Sequence, residues 1–170
     1  KGKGKGRGKG KGSVANREFH GVGFCLRNGL LKYVKDFKQI NSHIMLLELH
    51  TKATPLVILS IYAPQSGASE EIRTSFYNEL HQLLQEYHEH TNLLLLGDFN
   101  ARLHGSSEEE QEQPHLGPHI YGKGYQYYHD FENRANGITN RELLMDLCTS
   151  KDLRVMNTFF REQKIKKVTY

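Results

Sequence analysis

One short stretch of this sequence pairs residue types that could do chemistry. Asp98 and Asn100 flank Phe99, directly after the apolar run Leu93–Leu96 and a glycine. In extended chain, side chains two residues apart share a face, so the carboxylate and the amide would point together. A carboxylate can orient and deprotonate a water molecule. An amide N–H can hold a phosphate oxygen as charge develops on it, so the pair suits phosphodiester hydrolysis.

The same two residues also have a simpler interpretation. Asp and Asn after a strand are ordinary turn formers, and on these residues alone the turn is the favoured interpretation. Their position favours a ligand-binding site, because layered α/β proteins often bind ligands at the carboxyl ends of buried strands. Both interpretations stay open on the pattern of Asp98 and Asn100.

The apolar segments around this pair predict the elements that would position it. Strand-length apolar segments occupy residues 20–26, 44–50 and 56–62, and the third stops at Ala63-Pro64 because proline lacks a ladder N–H. The run at 93–96 is bounded by glycine and predicts a strand covered on both faces. A last strand is expected around residues 154–158.

Two helices are expected between these strands. The first is predicted by apolar residues at spacings of three and four, which places them on one face: Ile72, Phe76, Leu80, Leu83, Leu84 and Tyr87. For the second, Thr139 and Glu142 fit a capping box before an apolar stretch. The polar segment 104–135 lacks periodicity, and such long segments are usually functional or disordered.

The charge of the chain divides unevenly between a tail and a body. Residues 1–12 alternate Gly with six Lys or Arg, and the remaining residues 13–170 hold 17 Lys+Arg against 19 Asp+Glu. The tail has no apolar face to bury, so we expect disorder there. It is interpreted either as a phosphate-binding arm or as a passive low-complexity leader. Residues 13–170 are expected to form one domain.

Composition narrows the class of protein further. Apolar residues make up 37% of the chain, which allows a packed core, and no apolar run approaches the ~20 residues of a membrane span. The basic start has no apolar stretch behind it, so a secretory signal is not expected. Cys25 and Cys148 are the only cysteines, which predicts an intracellular, reduced setting without a disulfide framework.

Five blocks of the sequence, in order, resemble the endonuclease/exonuclease/phosphatase superfamily. Within it the chain is most similar to the apurinic-endonuclease-like domain of non-LTR retrotransposons and their domesticated relatives. The likeness runs from about His20 to Tyr170. The first block is residues 20–24 (HGVGF). The second is a strand, a helix and a strand, in which the strands end at residues 60–64 (SIYAP) and 96–101 (LGDFNA). The other three are the glycine-rich stretch 117–124, residues 140–144 (NRELL) and residues 157–160 (NTFF).

The resemblance implies roles for individual residues. Asp98 matches the catalytic aspartate that activates the attacking water, and Asn100 matches the asparagine that contacts the scissile phosphate. Tyr62 matches the tyrosine that helps stabilise the phosphate charge. Asn140 matches an asparagine near the site. It is therefore a candidate for contacting substrate, together with Arg102 and His119.

The sequence also departs from the family pattern. Arg141 stands where the family commonly has glycine. The Lys-Gly tail occupies the space where the family carries its metal-binding glutamate, and the chain contains no Ser-Asp-His. No metal ligand is therefore assigned. We expect the chain to hold the interior of the domain and residues 1–170 alone to show little nuclease activity.

Taken together, these observations predict an α+β fold, an incomplete four-layer sandwich of two packed mixed sheets flanked by helices. The expected activity is Mg²⁺- or Mn²⁺-dependent nicking of DNA by an endonuclease domain of retrotransposon origin, in the nucleus and away from membranes. A reverse transcriptase is the associated enzyme in such elements. Two alternatives remain: a catalytically dead remnant that binds nucleic acid or another partner, and a phosphatase or phospholipase branch of the superfamily.

Overall fold

The computed structural model of this protein describes residues 21–87, 91–103, 114–120 and 137–161. Four strands form one mixed sheet in the order β1-β2-β3-β4: Val34–Gln39, Ile44–Leu49, Leu56–Tyr62 and Asn92–Asp98. Helix α1 spans Glu70–Gln85 and helix α2 spans Asn140–Ser150. Two 3₁₀ segments lie at Asn28–Tyr33 and Met156–Thr158. The expected α+β class is confirmed.

Strands β3 and β4 run parallel, and α1 connects them. Strand β3 alternates between buried and half-buried residues, so Val57, Leu59 and Ile61 turn one face towards the helices. Both helices contribute their apolar faces to the same core cluster as these three residues. Because a parallel connection through a helix covers one face of the sheet, this inner face is closed to solvent.

Both helices begin with a side-chain cap. The Ser69 hydroxyl accepts a hydrogen bond from the Ile72 amide at the start of α1. At α2 the Thr139 hydroxyl accepts from the Glu142 amide at 3.2 Å, and the Glu142 carboxylate accepts from the Thr139 amide at 2.7 Å. The predicted capping box is confirmed. These bonds satisfy amides that have no partner inside the helix.

Several expectations about the strands were wrong. The described residues 21–27 form no strand, whereas β1 lies at Val34–Gln39, where none was predicted. The expected last strand around 154–158 is only an isolated bridge between Leu116 and Val155, followed by a 3₁₀ turn. The polar and charged residues of β1 conceal this strand from a search for hydrophobic pattern, whereas segment 21–26 is apolar and pairs with none of the four strands. The tail 1–12 and most of the polar segment 104–135 lie outside the described residues.

The prediction that strand β4 is covered on both faces was also wrong. Leu94 and Leu96 point away from the helices and are 41% and 49% exposed. Leu94 belongs to a cross-strand row on this outer face, in which the paired positions are Phe37, Leu47, Ile58 and Leu94. Leu47 is buried and Phe37 is exposed. The described part of the chain therefore contains one sheet with an apolar outer face and no second sheet.

Candidate functional site

The register of the parallel strands brings two of the predicted residues side by side. Tyr62 and Asp98 are paired positions at the carboxyl ends of β3 and β4. Paired residues in neighbouring strands project from the same face of a sheet. The ladder continues one step further, because the Ala63 amide donates to the Asp98 carbonyl at 2.8 Å. Both side chains therefore lie at one edge of the sheet.

The backbone turns sharply on either side of Asp98. Gly97 has a φ of 143°, a conformation that only glycine adopts readily, and Asn100 has a φ of 47°, which asparagine tolerates better than most residues. The Asp98 carboxylate accepts a hydrogen bond from the Asn100 amide at 2.8 Å. This is the turn that the sequence favoured, and it holds the carboxylate and the Asn100 side chain at the end of the strand.

Asn100 reaches across to the end of the neighbouring strand. Its Nδ2 donates to the Ala63 carbonyl at 2.7 Å. An amide nitrogen carries two hydrogens and this bond uses one of them. The turn interpretation and the site interpretation therefore describe the same residues: the bonds that make the turn also bring Asn100 next to Tyr62 and Asp98.

Three different elements hold the loop after β4 through its consecutive carbonyl groups. The Asp98 carbonyl accepts from the end of β3, as described above. The Phe99 carbonyl accepts from the Tyr77 hydroxyl of α1 at 3.1 Å. The Asn100 carbonyl accepts from Asn140 Nδ2 of α2 at 3.1 Å. Hydrogen bonds therefore connect three successive residues of this loop to β3, α1 and α2.

Asn140 is the first residue of α2 and is almost fully buried. Besides its bond to Asn100, its Nδ2 donates to the Pro64 carbonyl at 2.8 Å, so that one carboxamide bonds the loops after both strands. Its Oδ1 has no hydrogen-bond partner among the described residues. Donation to two carbonyls identifies this nitrogen, because a carbonyl only accepts.

Tyr62 is held from the other side by His43, which precedes β2. The His43 Nδ1 lies 2.8 Å from the Tyr62 carbonyl, so this nitrogen carries the proton and donates. The Tyr62 amide donates back to the His43 carbonyl at 2.9 Å. The two rings are parallel within 9° at a centroid distance of 6.1 Å. His43 was not singled out from the sequence, because its partner lies on another strand.

A cavity of about 840 Å³ opens along β4 at this edge. It contains two of the predicted residues, Asp98 and Asn100, and two of the three candidates for substrate contact, Asn140 and Arg102. Tyr62 and His119 are not among the residues that line it. The His119 amide instead donates to the Thr158 carbonyl at 2.9 Å. The cavity thus joins the residues after β4 to the start of α2.

Four arginines and two carboxylates, Asp98 and Asp152, line this cavity, so positive side chains outnumber negative ones in its wall. Arg73 of α1 and Arg141 of α2 are each only 2% exposed, whereas Arg102 and Arg154 are exposed. Arginine stays charged in proteins, so the wall attracts anions. Arg73 precedes Phe76 by three residues and Tyr77 by four. That spacing is the sequence signal that could have placed Arg73 on the buried face.

One residue of the apolar face that was predicted for helix α1 is exposed. Ile72, which was expected on the buried face, is 56% exposed, while Phe76, Leu80, Leu83 and Leu84 are buried as predicted. Arg141 causes no disruption where the family would carry glycine, since α2 runs through it. The positive φ of the turn before α2 falls instead on Gly137.

Burial raises the pKa of two side chains near the site, so both keep their protons at neutral pH. It raises the pKa of the Tyr77 hydroxyl above its usual range, with smaller contributions from Cys148 and Asp98, so the hydroxyl remains a donor to Phe99. Burial also raises the pKa of the Cys148 thiol to about 11. Cys148 lines the cavity, but as a neutral thiol at neutral pH it is a poor nucleophile.

The described residues offer only part of a magnesium site. Mg²⁺ is commonly bound through one or two carboxylates, with water and substrate phosphate as the other ligands. Asp98 offers one carboxylate at the cavity. No group of three or more His, Cys, Asp or Glu residues that could hold a metal ion occurs within the described ranges. Asp98 fits the minimum of such a site, and no second carboxylate ligand is assigned.

The fold and the site together define an α+β protein with a positively lined cavity at the carboxyl edge of its parallel strands. No protein-family model matches this chain, and no curated protein sequence matches it either. No helix among the described residues has the length and apolar character that crossing a membrane requires.

Proposed function

We propose that this chain is part of a Mg²⁺- or Mn²⁺-dependent phosphodiesterase domain that nicks DNA, of the endonuclease/exonuclease/phosphatase type and of retrotransposon origin. The observation that carries the proposal is the convergence of Asp98, Asn100 and Tyr62 at one edge of the sheet. Three residue types suited to phosphodiester hydrolysis meet there although 38 positions separate Tyr62 from Asn100 in the chain. Arg102 and Arg154, which are exposed in the lining of the adjoining cavity, favour an anionic substrate.

The chemistry assigned to these residues is in-line hydrolysis. A water oxygen bonds to phosphorus, the ester P–O bond breaks, and the Asp98 carboxylate accepts a proton from the water. The second Nδ2 hydrogen of Asn100 and the Tyr62 hydroxyl donate to the phosphate oxygens as their charge grows. A bound divalent ion would supply charge neutralisation of the phosphate and the leaving oxygen.

The finer architecture belongs to the same proposal. We infer that a second sheet packs on the outer face of the described one and completes a four-layer sandwich. Phe37, Leu94 and Leu96 are large apolar side chains exposed on that face. Burying them would remove apolar surface from water at about 25 cal/mol per Å². A single sheet with both faces apolar is typical of a layered core.

Relaxation of supercoiled plasmid DNA tests the proposed activity. Residues 1–170 and the longest protein that the gene encodes are assayed with Mg²⁺ and with EDTA. We expect Mg²⁺-dependent nicking by the longer protein and its loss in Asp98→Asn, which keeps the shape of the side chain but removes the proton acceptor. Asp146→Asn is the matched control, because Asp146 is an exposed carboxylate of α2 outside the cavity lining. Nicking that persists in Asp98→Asn would refute the assignment.

A second candidate is a catalytically inactive module that binds nucleic acid. The observation that favours it is that the Asp98 carboxylate and the Asn100 amide both take part in bonds that shape the turn. Binding of labelled duplex DNA without nicking, in both proteins and at any divalent ion concentration, would support this candidate. Hydrolysis of a phosphomonoester or a phospholipid headgroup but not of DNA would support the phosphatase or phospholipase branch.

A further inference from the structure

The side chain of Asn140 makes hydrogen bonds that the helix to which it belongs does not need. Helix α2 is already capped by Thr139 and Glu142, which bond each other's backbone amides. The Asn140 carboxamide instead leaves the helix and bonds the carbonyls of Pro64 and Asn100, at 2.8 and 3.1 Å. These carbonyls lie 36 positions apart in the chain, one after β3 and one after β4. Helix formation therefore does not account for an amide at this position.

Burial of the Asn140 carboxamide also lowers the stability of the fold. Asn140 is 2% exposed and its Oδ1 lacks a hydrogen-bond partner among the described residues. A buried acceptor without a partner loses its hydration with no compensating bond, and such groups in native proteins call for an explanation. An apolar residue at the start of α2 would avoid that loss but could not bond the two loops. The two bonds to the loops are what the amide uniquely supplies.

The side chain is at the same time poorly placed to touch a substrate. Its nitrogen has its two hydrogens committed to the two carbonyls, and its oxygen is shielded from solvent. Arg102, by contrast, is exposed at the same cavity. The polar atoms of Asn140 are therefore not available to a ligand, whereas the side chain of Arg102 is.

We propose that Asn140 is a positioning residue that fixes the spacing between the loop after β3 and the loop after β4. Tyr62 precedes the first loop and Asp98 with Asn100 begins the second. Fixing the two loops thus fixes the three side chains relative to one another. This inference rests on the proposed phosphodiesterase function for its catalytic consequence, but the coupling of the loops is measurable without any activity.

A donor series at position 140 tests the coupling. Asn140→Ala removes both donated bonds, and Asn140→Ser replaces the two N–H donors with one hydroxyl donor. The readout is backbone amide hydrogen exchange of the whole chain, followed at Ala63, Ala68 and Asn100. Losing two neutral hydrogen bonds is expected to speed exchange at these amides by about tenfold or more in Asn140→Ala, with a smaller effect in Asn140→Ser.

Met145→Ala is the matched control for general loss of stability. Met145 is buried in the same helix but does not line the cavity. Met145→Ala should speed amide exchange throughout the core, without a larger effect in the two loops. Unchanged exchange at Ala63, Ala68 and Asn100 in Asn140→Ala would overturn the inference. So would the same loop-selective increase in Met145→Ala, because loop exchange would then report stability alone.

The catalytic consequence is tested with bis(p-nitrophenyl) phosphate and Mg²⁺, using the longest protein that the gene encodes. A positioning role predicts that Asn140→Ala lowers kcat at least tenfold while KM changes less than about threefold. A rise in KM with unchanged kcat would mean that Asn140 binds substrate, against the inference. If the unsubstituted protein is inactive, the proposed function fails, and the exchange series alone decides whether Asn140 couples the loops.

Discussion

Replacing Gly97 with alanine should separate the two parallel strands that carry the site. A Cβ built on Gly97 would lie 1.8 Å from the Ile61 carbonyl oxygen and 2.7 Å from its carbon, both of them backbone atoms. Ordinary contacts of a Cβ begin at 3.4 Å, so β3 and β4 must move apart by more than an ångström. The φ of 143° is strained for any residue with a side chain.

The magnitude follows from these two effects. A residue held in a glycine-only region costs about 1–3 kcal/mol, and each strand hydrogen bond lost near Ala63 and Asp98 costs about 1 kcal/mol. Gly97→Ala should therefore lower the free energy of unfolding by about 2–5 kcal/mol, a large part of the ~5–15 kcal/mol typical of a domain. With a urea m-value of about 2 kcal/mol/M, the midpoint falls by about 1–2.5 M.

Equilibrium urea unfolding, followed by far-UV circular dichroism, measures this shift. Gly67→Ala is the control, because a Cβ at Gly67 meets nothing within 4 Å and its backbone is not in the left-handed region. That variant should unfold within about 0.5 kcal/mol of the original chain. A midpoint for Gly97→Ala that matches Gly67→Ala would refute the close approach of the two strands on which the site geometry depends.

Three further predictions concern stability and thiol chemistry. Thr139→Ala should cost about 1 kcal/mol in urea unfolding through loss of the α2 cap, and an unchanged midpoint would contradict the capping box. In residues 1–170, Leu59→Ala should cost about 2–5 kcal/mol, whereas Leu94→Ala, on the outer face that is exposed in this chain, should cost less than half as much; equal losses would mean that a segment within residues 1–170 covers this face. Burial raises the pKa of Cys148 from 9.0 to about 11, so its neutral thiol contributes stability that is complete below about pH 9 and is lost as pH rises through 11. At pH 7 in native buffer, a thiol-specific reagent should modify exposed Cys25 first and Cys148 only on unfolding; rapid modification of both would contradict the burial of Cys148.

The local features of this protein could be predicted because neighbouring residues determine them. The apolar, β-rich composition of residues 56–62 marks a strand, and the proline after Ala63 ends it. The spacing of Thr139 and Glu142 marks the start of a helix through bonds between residues three apart. The Asp98–Asn100 turn is equally local, since its defining hydrogen bond spans two residues.

The errors arose where distant segments decide the outcome. Strand β1 is rich in charged residues, and its only described partner is β2, so its own hydrophobic pattern does not mark it as a strand. The exposure of Leu94 depends on what packs over the outer face, which periodicity along β4 cannot show. Arg73 is buried because α1 turns that position towards the cavity, even though its side chain is charged.

By itself the sequence determined which residues at the strand ends have the chemistry for a site, because side-chain type and local spacing are written in the chain. Only the tertiary structure decided how they are held. Tyr62 lies beside Asp98 because β3 and β4 pair in one register, and a shift of one residue would move every side chain of a strand to the other face. Asn140 reaches both loops because α2 packs against α1 in the core that both helices share with β3, and packing depends on burial summed over the whole core rather than on any local pattern.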